Sequence, residues 1–180
     1  MFFISQNCKF ESKFNMKNNE FIKVIEPVLV RTFGSGRVRN VVVHLSPLGL
    51  IPRGKTATPS SIAWLLCGLI FAPTTQSDKL GDWGRAKMAE WSKGENPFIF
   101  LRALLTFPGN AHGVAALFAN KTVGSVTAYC QDGSELHAGP TEKASIAEIV
   151  AIEPTFIAWM ADRLAEIAKA PEKAEKTIFN

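Results

Sequence analysis

Apolar positions follow two different periods along this chain, and the change between them falls near Pro108. Upstream the spacing is helical. Phe21, Val24, Ile25, Val28, Leu29 and Thr32 recur at i, i+3 and i+4, which predicts a helix over residues 19–32. Pro27 lies inside that pattern. It is expected either to split the segment or to sit in the first turn of a second helix, near Glu26. The run Phe33-Gly34-Ser35-Gly36 then reads as a glycine turn.

The next segment can be read two ways. Val38, Val41, Val42, Val43 and Leu45 are suited to a strand by their β-branching. Val38, Val41, Val42 and Leu45 also share one helical face, with Arg37, Arg39, Asn40 and His44 pointing elsewhere. The helical reading is favoured, with Ser35 as its cap and Pro47 as its stop. A turn-rich stretch follows, Leu48 to Lys55. Thr58-Pro59 then opens a helix, Thr58 as N-cap and Pro59 at the first helical position. That helix is apolar nearly all round, so it should be the central core helix.

Residues 73–78 read as a linker, and residues 80–92 and 97–107 as two amphipathic helices. Pro108-Gly109-Asn110 should mark the switch to β-structure. Short strands are predicted at 114–119, 123–131, 136–138 and 145–152. Asn120-Lys121 and Asp132-Gly133 supply hairpin turns. A last amphipathic helix covers residues 156–170. The fold class is therefore α+β, an N-terminal helical module followed by a small antiparallel sheet and a C-terminal helix. Residues 1–15 read as a disordered extension, with Met16 as an alternative start, and the chain divides at 77 into a helical module (16–77) and an α+β half (78–180).

Charge changes the picture. The formal net charge is +4, but it is unevenly placed. Lys17, Lys23, Arg31, Arg37, Arg39, Arg53 and Lys55 face only Glu20 and Glu26 in residues 17–55, and no Asp or Glu occurs from Pro27 to Ser77. A basic stretch without countercharge fits a polyanionic partner. The three cysteines, Cys8, Cys67 and Cys130, are far apart and form no Cys-x-x-Cys, which points to a reducing, cytoplasmic setting rather than a disulfide framework. His44, His112 and His137 have no metal-ligand spacing. The longest apolar run, Ile62 to Ala72, is about half a membrane span. No cofactor, metal or membrane partner is expected.

Two chemistries compete for the basic stretch. Gly49-Leu50-Ile51-Pro52-Arg53-Gly54-Lys55-Thr56 matches the phosphate-binding pattern G-x-x-x-x-G-K-[ST], with Gly49, Gly54, Lys55 and Thr56 as the nucleotide-binding set. That loop needs a helix starting at its Gly-Lys-Thr, whereas the cap signal comes later, at Thr58-Pro59. The other reading is a helix-turn-helix. In it Arg37, Arg39, Asn40 and His44 contact bases, since Arg suits guanine and Asn suits adenine. Arg31, Ser35, Arg53 and Lys55 contact phosphates.

Leu45-Ser46-Pro47-Leu48-Gly49-Leu50-Ile51-Pro52-Arg53-Gly54, followed by Thr58 and the Ala63-Trp64-Leu65-Leu66 helix, resembles the segment after the recognition helix in phage-type helix-turn-helix regulators of bacteria. The resemblance covers residues 20–72 and departs from the pattern at Pro47 and in its many valines. It implies a sequence-specific regulator that binds double-stranded DNA, with the second half making a homodimer or meeting a protein partner. The alternatives are a small P-loop nucleotide-binding enzyme and a non-enzymatic phage or assembly protein.

Overall fold

In the computed structural model, which describes residues 16–73, 77–141 and 147–169, six helices precede the first strand of the sheet. α1 spans Asn18–Phe33, α2 Ser35–Leu45, α3 Pro59–Phe71, α4 Ser77–Glu90 and α5 Pro97–Thr106. The order continues with a one-turn helix α6 (Pro108–His112), strands β1 (Val114–Asn120), β2 (Ser125–Cys130), β3 (Glu135–Ala138) and β4 (Ile149–Ile152), and the closing helix α7 (Pro154–Lys169). The α+β architecture read from the sequence is the one observed. The extension predicted for residues 1–15, and the ends of the predicted strand at 145 and helix at 170, lie outside the described residues.

α3 is the centre of the packing. Every residue from Ser61 to Phe71 is buried, as an all-apolar helix requires. Its start is fixed by a reciprocal cap. Thr58 Oγ1 accepts from the Ser61 amide at 3.2 Å, and Ser61 Oγ accepts from the Thr58 amide at 3.1 Å. α2 and α5 both pack against α3. α7 reaches α5, α6 and β1, so the buried core runs without interruption from Phe21 to Leu164.

The sheet is antiparallel throughout, in the order β3-β2-β1-β4. Leu117, Ala119, Val126 and Ala128 alternate onto the face that meets the helices and are buried. Phe118 and Tyr129 alternate onto the other face, remain exposed, and meet edge to face at 6.1 Å. His137 on β3 sits beside Thr127 on that outer face, with Thr127 Oγ1 and His137 Nδ1 3.0 Å apart.

Three expectations are corrected. Pro27 neither splits the first helix nor opens a second; α1 runs through it. Pro27 is exposed, while Ile25 and Leu29 on either side are buried, so packing holds both halves in line and offsets the missing hydrogen bond. The turn between α1 and α2 is Gly34 alone, at φ 81° and ψ 147°. A left-handed φ lets this one residue turn the chain between the two helices. Ser35 and Gly36 are already helical, so Ser35 is not the cap. Pro108-Gly109-Asn110 forms the start of α6 instead of a break into β-structure, because proline fits the first helical position.

Candidate nucleic-acid interface

α2 is amphipathic. Val38, Val41 and Leu45 are buried against its neighbours. The fit to α3 is close: a Cβ placed on Gly68 would lie 2.7 Å from Val41 Cγ1 and 3.0 Å from Leu45 Cδ1. α4 packs on α2 through Gly84, where a Cβ would lie 2.8 Å from both Leu45 Cδ2 and Leu48 Cδ1. With that side fixed, Gly36, Arg39 and Val43 turn outward. They recur at i, i+3 and i+7 and make one stripe.

The loop after α2 is held just as firmly. Asn18 is buried at the start of α1. Its Nδ2 donates to the Pro52 carbonyl at 2.9 Å, and its Oδ1 accepts from Ser61 Oγ at 2.5 Å. The Asn18 amide donates to the Lys55 carbonyl at 2.8 Å, and the Ala57 amide to the Met16 carbonyl at 2.9 Å. One side chain thus ties together the entrance to α1, the loop and the first turn of α3.

The result is an open groove of about 480 Å³ beside α2. Ser35, Gly36, Arg39 and Val43 of α2 line it, with Arg53 from the clamped loop and Glu26 from α1. Ser35, Arg39 and Arg53 are therefore brought together. Lys55 is exposed on the same loop and Arg31 is exposed in the last turn of α1. Asn40 and His44 are half-buried on the flank of α2. Glu26, Gly36 and Val43 were not singled out from the sequence. Their shared helical phase with Arg39, in the case of Gly36 and Val43, was the signal that could have found them.

Arg37 is elsewhere. Its guanidinium turns back onto the C-terminal end of α3, where Nε donates to the Leu69 carbonyl at 2.7 Å. Nη2 donates to the Ala72 carbonyl at 2.7 Å and the Gly68 carbonyl at 3.3 Å. These are the carbonyls that a helix end leaves without intrahelical partners. The expectation that Arg37 contacts a base is corrected accordingly: its Nε and Nη2 are engaged within the fold. Burial lowers its pKa from the ordinary arginine value, and the negative charge of Glu148 opposes that shift.

The phosphate-binding loop is not formed. Residues 38–45 are helix rather than the strand that such a loop follows, and α3 begins at Pro59, beyond Thr56. Thr56 is paired through its backbone with Lys17, and Gly49 and Gly54 serve as left-handed turn residues at φ 73° and 70°. Gly49, Gly54, Lys55 and Thr56 do not make a strand–loop–helix cradle. Among the described residues no group of His, Cys, Asp and Glu has metal-site geometry, and no helix is long and apolar enough to cross a membrane.

No family model matches this chain, and searches of the curated proteins and of the solved structures found nothing similar.

Proposed function

We propose that the protein is a sequence-specific regulator, bacterial or phage-like and cytoplasmic, that binds double-stranded DNA through α2 and the loop that follows it. The observation that carries this reading is the convergence of Arg39 and Arg53 on one open groove, within a stretch that has no acidic residue from Pro27 to Ser77. Cations placed on a rigid helix and a clamped loop can hold a register on a duplex. In this reading Arg39 reaches a base edge, flanked by Asn40 and His44. Arg31, Ser35, Arg53 and Lys55 meet phosphates. Glu26 in the lining of the groove works against non-specific retention, because it repels phosphate. The C-terminal half supplies the protein contact, most simply as a homodimer that sets two α2 helices on successive half-sites.

Binding of the full chain to a labelled random-sequence duplex, followed by anisotropy over a range of salt, tests the reading. Affinity should fall steeply with salt. Selection from a random pool should then enrich a site. A wild-type chain that neither retains DNA at low salt nor enriches a site overturns the proposal.

A further inference from the structure

Val43 and Gly36 lie outside the buried core. Val43 is 38% exposed, whereas Val38 and Val41 on the same helix are 1% and 0% exposed. A Cβ on Gly36 would meet nothing within 4 Å, and Gly36 is not among the glycines with positive φ. Neither packing nor backbone conformation requires a glycine there, and in a helix glycine is the weaker choice than alanine. Both residues nevertheless lie on the stripe with Arg39 and line the same groove as Arg53.

We infer that this stripe specifies sequence, with Val43 matched to a thymine methyl and Gly36 clearing space for the duplex backbone. The inference rests on the DNA-binding reading above. Its chemistry follows from the groove code: thymine is the base that presents a methyl group in the major groove, and guanine is the base that takes a bidentate arginine. Its geometry follows from spacing. Four residues separate Arg39 from Val43, a rise of about 6 Å along the helix. Base pairs rise about 3.4 Å, so the two side chains address positions about two base pairs apart. The preferred site should contain a guanine with a thymine about two base pairs away. At Gly36 the missing Cβ lets the first turn of α2 lie against a sugar–phosphate strand, a close approach that only glycine permits without cost.

The test needs no change to the protein in its first arm. Once a site has been selected, each thymine in it is replaced in turn by deoxyuridine, which removes only the methyl. Wild type should lose about fourfold in affinity at one thymine, the worth of one buried methyl group. Val43→Ser should bind the thymine and deoxyuridine sites equally. Gly36→Ala should melt no lower than wild type yet bind the selected site more weakly. Failure of the wild type to enrich any site overturns the DNA-binding reading itself. An enriched site at which no thymine can be told from deoxyuridine overturns the Val43 assignment and leaves that reading standing. Gly36→Ala with unchanged affinity overturns the clearance role.

Discussion

Arg37 reaches from the first turn of α2 to Leu69 in the last turns of α3, where its Nε donates to the carbonyl oxygen at 2.7 Å. The same side chain meets Ala72 and Gly68, so one arginine fixes how α2 sits on α3. Arg37→Ala should destabilise the fold by about 1.5–3 kcal/mol, the range for hydrogen bonds to a charged group. Arg37→Lys should recover only part of this, because an ammonium lacks the fork that spans separate carbonyls. Urea unfolding of the three proteins measures both differences. A loss below about 0.5 kcal/mol for Arg37→Ala, typical of a surface position, would contradict the structure.

Salt dependence should separate Arg37 from the residues proposed to face DNA. Arg53→Ala and Lys55→Ala should each reduce the slope of log affinity against log salt by about one unit. Arg37→Ala should leave that slope unchanged, since its Nε and Nη2 donate to carbonyl oxygens of the fold. Equal reductions in all three variants would mean that Arg37 leaves α3 to meet phosphate.

The two glycines under α2 should differ in their tolerance of alanine. At Gly68 the added Cβ meets Val41, a β-branched side chain with little rotamer freedom, and overpacking of this kind costs about 1–3 kcal/mol. At Gly84 it meets the tips of Leu45 and Leu48, which can swing. Thermal melts should therefore place Gly68→Ala below Gly84→Ala. The reverse order would show that α4, not α3, is the tighter partner of α2.

Asn18→Ala removes the clamp on the loop. It leaves the Pro52 carbonyl without its side-chain donor and Ser61 Oγ without that acceptor, at a cost of about 1–3 kcal/mol. Hydrogen exchange should rise first at the amides of Asn18 and Ala57, which join α1 and the segment before it to the loop. Uniform exchange across the helices instead would mean that the loop is held by other contacts.

Cys67 should resist alkylation. Its side chain is fully buried in α3, and burial raises the thiol well above its ordinary value. Mass spectrometry after iodoacetamide treatment at pH 8 should find it unmodified in the native protein and modified in urea. Rapid native labelling would require an opening of α3 that its packing does not provide.

Much of this architecture was legible in the residues. Thr58-Pro59 located the start of α3, and unbroken apolarity placed it at the centre. The strands expected at 114–119 and 123–131 correspond to β1 and β2. What stayed hidden depended on partners distant in sequence. Val38, Val41 and Leu45 fitted helix and strand closely, with helix the favoured reading; the close seat on Gly68 that goes with the observed helix was not legible. Arg37 read as a recognition residue because helical phase puts it off the apolar stripe; its acceptors belong to another helix, which periodicity cannot reveal. Asn18 gave no signal at all, since a buried amide is recognised only by the groups around it.

The strand order has a consequence for assembly. The two longer strands, β1 and β2, are interior, while the outer positions fall to β3 and β4, each of four residues. A short outer strand offers few free backbone groups to an incoming chain. Lateral sheet extension, the route to fibres and to runaway polymerisation, therefore has little template at either margin of this sheet.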